Sequence, residues 1–201
     1  RPCAKYTGEK DGTSARVYFA QGRPGTGWTL TVSDAQGVTP LEAATGRSAG
    51  GVLSVRAIDH TAQEDARLAT WSGAGAATLS LQGAAPLDLQ REANGQLSLA
   101  FAYRVDAPPS KDVVLAVECG ANCRGTFALT DHLRAAPVGE WRQLKVLLQC
   151  FQKTGAEMHN VTAPFAVSTD GTLTLGVSNV RLETGVADAI SALARIVFFA
   201  G

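Results

Sequence analysis

The sequence predicts an all-β fold: an antiparallel β-sandwich with a few short helices and a C-terminal tail. Three observations carry the prediction. Apolar residues recur at every second position in several separate stretches, which is the period of a half-buried strand. Turn signals separate those stretches, namely Asp11-Gly12, Asn94-Gly95, Asp170-Gly171 and the glycine-rich run 22–27. Helical patterning is scarce, and many short strands punctuated by turns argue for a sandwich.

Residues 1–14 are polar and glycine-rich and read as a linker or incoming arm. The sandwich is expected over 15–183. It opens with a strand at 15–19, followed by Trp28, Leu30 and Val32 alternating with Thr29 and Thr31. Strands follow at 52–58, 68–71 and 77–81. Leu97, Leu99, Phe101, Tyr103 and Val105 then alternate with Ser98, Ala100, Ala102 and Arg104. Further strands are expected at 113–118, 127–129, 144–148 and 165–168, and Leu173, Leu175 and Val177 alternate with Thr172, Thr174 and Gly176. Two helical pieces interrupt them, at 130–136, stopped by Pro137, and at 154–158. In the tail, 184–201, Asp188 can cap a helix with Ile190, Leu193 and Ala194 on one face. The tail reads as a docking arm or a disordered end.

The chain has 201 residues, enough for one large domain or two small ones. With 45% hydrophobic and 18% charged residues it has the composition of a soluble globular protein. Eighteen basic residues balance eighteen acidic ones, which disfavours nucleic acid as a partner. No apolar run approaches the roughly 20 residues of a membrane span, and Ile196-Val-Phe-Phe199 is far too short. The start at Arg1, without methionine or a signal-like segment, reads as a fragment or processed product. Of the four cysteines, Cys119 and Cys123 flank a Gly-Ala-Asn loop that can close as a disulfide, with free or metal-binding thiols as the alternatives. A zinc site would want a second close pair or nearby histidines. Cys150, at an apolar strand end, reads as a small buried hydrophobe rather than a partner of Cys3. A disulfide would imply an oxidising compartment, the periplasm or the cell exterior.

Catalytic patterns fail on context. Gly46-Arg-Ser-Ala-Gly50 has the letters of a nucleophile elbow, but a strand rather than a helix follows it. His60, His132 and His159 are scattered, and no spacing marks a carboxylate pair for glycoside hydrolysis. Asn160-Val-Thr162 matches a glycosylation sequon by letter and receives no weight. More informative is the segment 61–73, which sets Trp71 beside Glu64, Asp65 and Arg67. An aromatic ring against the apolar face of a pyranose, with planar polar groups for its hydroxyls, is sugar-binding chemistry. The competing reading makes Trp71 a core residue and Asp65–Arg67 a loop-fixing salt bridge. Trp28, after a glycine-rich loop, is poised between the same two roles, and Trp141 reads as a core anchor.

Glu140-Trp141, Leu147-x-x-Cys150-Phe151, Gly155-Ala156, Pro164-Phe165 and Val177-Ser-Asn-Val-Arg-Leu182 resemble the C-terminal domain of ExoP-type enzymes, bacterial exo-acting β-glucan glucohydrolases of glycoside hydrolase family 3. Glu64-Asp65-Ala66, Thr70-Trp71, Tyr103-Arg104-Val105 and Cys119-Gly-x-x-Cys123 extend the resemblance, which spans about 15–183. It implies a jelly-roll, galactose-binding-like sandwich placed after the catalytic domains. The catalytic carboxylates belong to those domains, so none is carried over. The implied role is a non-catalytic accessory domain that binds β-glucan or shapes the active-site entrance. The alternative is a structural domain that packs on the catalytic domains. The residues offered for sugar are Trp71, Asp65, Arg67, Glu64, Trp28, Tyr103 and Arg104. The family also implies a structural calcium, for which Glu64, Asp65, Glu118 and Glu183 are the carboxylates on offer, although no spacing fixes a hard-cation site. The partners expected are the family 3 catalytic domains of the same polypeptide and a β-glucan, with neither nucleic acid nor membrane.

Overall fold

Each alternating stretch forms a strand, and the strands pair antiparallel into two facing sheets. The computed structural model describes residues 2–6 and 14–184. In chain order the elements are β1 (Ala4–Tyr6), β2 (Ser14–Ala20), β3 (Arg23–Pro24), β4 (Trp28–Asp34), β5 (Gly37–Pro40), β6 (Gly46–Arg47), β7 (Leu53–Ile58), β8 (Ala66–Ser72), β9 (Ala77–Gly83) and α1 (Gln90–Asn94). They continue as β10 (Ser98–Ala107), β11 (Val113–Glu118), β12 (Arg124–Ala128), α2 (Thr130–Ala135), β13 (Trp141–Leu147), α3 (Leu148–Lys153), a 3₁₀ turn (Met158–Asn160), β14 (Ala163–Thr169) and β15 (Thr172–Glu183). A large sheet runs β1-β13-β10-β15-β8-β7-β6, with β2 and β3 attached to β15. A small sheet runs β12-β11-β14-β9-β4-β5.

Alternate residues of the two sheets meet in one core. Leu30, Val32, Leu79, Leu81, Leu115, Phe165 and Val167 come from the small sheet, and Leu99, Phe101, Tyr103, Leu144, Val146, Leu173 and Leu175 from the large one. Phe101 and Phe165 make edge-to-face contact across the gap, 5.3 Å between centroids. β15 serves two neighbours: its first half pairs with β8 and its second with β2. The switch lies near Asn179, whose φ of 54° marks an irregularity in the strand.

Three expectations are corrected. The strand read at 144–148 ends at Leu147, and Cys150-Phe151 lies in α3, because Leu148 and Phe151 share one buried helical face. The helix read at 154–158 is a turn followed by the 3₁₀ segment, with Gly155 at φ 128°. Cys150 pairs with Cys3 in a disulfide, Cα–Cα 5.8 Å. The reason is tertiary: β1 adds to the edge of β13, Ala4 opposite Val146, and delivers Cys3 to the start of α3. Residues 4–6 of the predicted arm are therefore a strand of the large sheet. The predicted tail helix lies outside the described residues.

Candidate functional site

The structure separates the residues that sequence reasoning had grouped for sugar. Trp71 points between the sheets, is 1% exposed, and donates its indole N–H to the Ala77 carbonyl at 3.0 Å. Tyr103 is fully buried beside Phe101. Neither ring has a face to offer a ligand, so both leave the candidate set. Trp28 is half-buried and packs edge-on against Tyr18 over Gly83, where a Cβ would come within 2.7 Å of the indole. It closes one end of the core.

Asp65 and Arg67 both fix the loop, but through the backbone rather than through each other. The Asp65 carboxylate accepts the N–H groups of His60, Thr61 and Ala62 and the Thr61 hydroxyl. Burial works to raise the Asp65 carboxyl, yet these donors together outweigh it and hold it below the usual carboxylate range. Arg67 turns inward from β8 and donates to the carbonyls of Glu64, Ala66 and Gly22, with its guanidinium 5.5 Å from the Phe19 centroid. Burial lowers its basicity. Glu64 is exposed and takes φ 55°, its N–H donating to Asp59.

The four carboxylates offered for calcium do not fit one ion. Asp65 is saturated by the donors above, Glu183 is buried between Lys145 and Arg181, and Glu118 stands on the small sheet. Among the described residues no group of three His, Cys, Asp or Glu side chains converges. Cys119 and Cys123 are joined, Cα–Cα 5.0 Å. Ser48 of the elbow-like motif is buried and accepts the Leu53 N–H, and its hydrogen bond to Asp34 depresses that carboxyl. The motif is a loop tie.

The register assembles a surface that no sequence motif announced. On the outward face of the small sheet, Val38, Ser33, Thr78, Ser168, Val114 and Ala128 form one transverse row. Pro40, Thr31, Ser80, Ala166, Ala116 and Thr126 form the next. Six strands at about 4.8 Å spacing make each row about 24 Å long. The outward charges on the strands of this face, among the described residues, are the cross-strand neighbours Glu118 and Arg124 at one corner. Thr78 and Ser168 hydroxyls hydrogen-bond at 2.6 Å, and Gln82 Nε2 donates to Ser80 Oγ at 2.9 Å. Where the rows end on β4 and β5, Thr29, Thr31, Val38, Pro40 and Gln82 line a shallow groove of about 380 Å³. Thr31, Ser80, Ala116 and Ala166 of the second row are buried, so the hydroxyls this face presents are the part-exposed ones of Ser33, Thr78 and Ser168 in the first row and of Thr29 and Thr126 beside it. These both donate and accept, so they can match ligand hydroxyls without desolvating a charge. The signal was present in the sequence as the polar members of the alternating stretches, but only pairing shows that they share one face.

Trp141 is the other correction. Its cross-strand partner is Arg104, and both face outward from the large sheet, away from the core. Gln143 and Lys145, two and four residues on, share that face. Their polarity was the available signal that Trp141 is not a core anchor.

Residues 26–182 match the family model described as galactose-binding domain-like, Exop_C. The fold is shared with the exo-1,3/1,4-β-glucanase ExoP of a Pseudoalteromonas species, at 20% identity and TM-score 0.71, covering 90% of this chain and 22% of that one. It is shared with the separately solved extra C-terminal domain of ExoP, at 18% identity and TM-score 0.66, covering 87% and 95%. A family 30 carbohydrate-binding module of a cellulosomal cellulase of Clostridium thermocellum superposes at 14% identity and TM-score 0.58, covering 78% and 92%. At these identities the likeness is one of fold. This chain thus spans about a fifth of the full ExoP enzyme. Among curated proteins no sequence matches.

Proposed function

The chain belongs to the Exop_C family of galactose-binding-like domains, and from that premise we propose that it is a non-catalytic accessory domain of a glucan-degrading polypeptide. In this reading it follows family 3 glycoside hydrolase domains and holds β-glucan on the outward face of the small sheet. The observation that carries the reading is that face: in-register hydroxyl, small and apolar side chains across all six strands, the first row part-exposed, with Glu118 and Arg124 at one corner as its strand charges among the described residues. The names of the fold relatives, an extra domain of a β-glucanase and a carbohydrate-binding module, support it.

The domain would act by tethering. A weak grip on the polymer raises the local substrate concentration at the attached catalytic domains. Hydrogen bonds to hydroxyls contribute little each, about 1 kcal/mol net, and the groove has no aromatic floor, so a Kd on the order of 1 mM is expected. Both disulfides support an oxidising location, the periplasm or the exterior. The test is an NMR titration of the 201-residue chain with laminari- and cello-oligosaccharides. Saturable shifts at the amides of Thr31, Ser80 and Gln82, weakened in Gln82→Ala, are expected. A spectrum unmoved at millimolar sugar would leave the domain a packing role against the catalytic domains.

A further inference from the structure

The outward face of the large sheet carries a different chemistry. Trp141, Arg104, Gly176 and Leu68 stand in register on β13, β10, β15 and β8. The indole reaches over two strands. A Cβ at position 176 would lie 3.2 Å from Trp141 Cη2, 3.2 Å from Ile58 Cδ1 and 3.4 Å from Arg104 Cβ. Glycine there lets the ring lie down on the sheet, over a small apolar cluster of Ile58, Ala66 and Leu68 that is separate from the main core.

Covering those residues would need only an apolar side chain, yet the rim of the ring is built from planar polar groups. Arg104 and Asp106 form a two-point ion pair, Nε–Oδ1 2.7 Å and Nη2–Oδ2 2.8 Å. Their side chains remain 23% and 28% exposed. The hydrogen bond to Asp106 keeps Arg104 more firmly protonated than usual. The Arg104 guanidinium carbon lies 5.4 Å from the indole centroid. On the loop after β7, the His60 ring packs against the indole, centroids 4.3 Å apart and planes tilted by 44°. The Asp65 carboxylate holds the His60 backbone N–H at 2.6 Å. Asp65, read from the sequence as a sugar contact, is thus a positioning residue for His60.

We propose that Trp141, His60 and the Arg104–Asp106 pair form a second sugar site that takes one pyranose unit of a neutral β-glucan. The choice of glucan rests on the reading of the domain as a glucan-binding module. The indole offers an apolar plane to the C–H face of the ring, and the paired guanidinium and carboxylate offer fixed donors and acceptors to adjacent hydroxyls. Because the pair is already neutralised, the site favours an uncharged sugar over an acidic one. It lies on the sheet opposite the hydroxyl-bearing face, so the two sites can hold separate segments of polymer.

The test uses the full chain, with calorimetry beside the three tryptophan indole N–H signals in an NMR titration against laminari- and cello-oligosaccharides. The Trp141 signal is expected to shift saturably while the Trp71 signal stays. Trp141→Ala and Asp106→Asn should each weaken this second binding event at least tenfold. Asp106→Asn keeps the indole in place and so remains informative if Trp141→Ala unfolds. Calorimetric binding with an unmoved Trp141 signal, and with affinity unchanged in both variants, overturns this site and leaves the small-sheet reading standing. No binding of any kind to the folded wild-type chain overturns both.

Discussion

Trp71 and Trp141 sit at strand ends of the same sheet, Trp71 near the end of β8 and Trp141 at the start of β13, yet they face opposite ways. Trp71 looks into the sandwich and satisfies its N–H on Ala77. Trp141 looks outward, lies over Gly176 and is bordered by His60, Arg104 and Asp106. Residue type is the same in both places, so the distinction comes from pleat parity against the second sheet. In β13 the parity is plain, since Leu144 and Val146 alternate with Gln143 and Lys145. In β8 it is not. Arg67, Ala69 and Trp71 point in while Ala66, Leu68 and Thr70 point out, and the inward set contains the arginine.

The outward pose of Trp141 needs β13 held in its sheet, and the largest effect is expected from cutting the Cys3–Cys150 bond beside the β1–β13 pairing. Cys3–Cys150 closes a separation of 147 residues, Cys119–Cys123 one of 4. In the chain-entropy model the first stabilises by about 5 kcal/mol and the second by about 2. Serine at both Cys3 and Cys150 is expected to lower the urea midpoint well beyond serine at Cys119 and Cys123. Equal losses would mean that β1 contributes little to holding β13.

Next comes the direct contrast of the two tryptophans. Trp71→Ala should cost about 4 kcal/mol in denaturant unfolding, as expected for a large buried aromatic, and it also leaves the Ala77 carbonyl without its partner. Trp141→Ala removes a half-buried ring from a satellite cluster and should cost roughly 1–2 kcal/mol. If Trp141→Ala proves the costlier, the outward ring is structural first and a platform second.

Much of the sandwich was legible in the sequence because strand period and turn residues are local properties. α2 was legible too, from its breaker at Pro137. The disulfide of Cys3 was not, because nothing local relates residues 147 apart. The residues of the two proposed sites were only half legible. Arg104 was identified, but as a neighbour of Tyr103 rather than of Trp141, since the pairing of β10 with β13 is a long-range fact. The outward rows of the small sheet could not be assembled from the sequence for the same reason: each strand contributes only two of their members, and register makes them a surface.

A smaller effect sharpens the role of the loop that bears on Trp141. Asp65→Asn exchanges a carboxylate for an amide among four donors, at a cost of roughly 2 kcal/mol. The folded-state pKa of Asp65 is depressed, so its contribution is complete above the unfolded carboxylate value of about 3.9 and is lost as pH falls through the lower folded value. Unfolding measured from about pH 6 down to about pH 2 should therefore show the gap between wild type and variant closing on the acid side. The Trp141 emission of the variant should shift as His60 loses its tether. A pH-independent gap would remove the charge of Asp65 from the account.

The finest test adds a single methyl group beneath Trp141. Alanine in place of a strand glycine ordinarily gains about 0.5–1 kcal/mol through the unfolded chain. At Gly176 that gain meets contacts at 3.2 Å with the indole and Ile58 and at 3.4 Å with Arg104, tight enough that at least one neighbour must yield. Overpacking of this kind costs about 1–3 kcal/mol, so the net expectation for Gly176→Ala is a loss of about 1 kcal/mol. The displaced group matters more than the sum. Ile58 is buried in the satellite cluster, whereas Trp141 is only partly buried, so the indole should be the group that lifts, and its emission should move to longer wavelength. Trp71, on the other side of the sheet, should keep its environment. A variant as stable as wild type with unchanged emission would show that the indole does not depend on the glycine, and the outward ring would then differ from Trp71 in exposure alone.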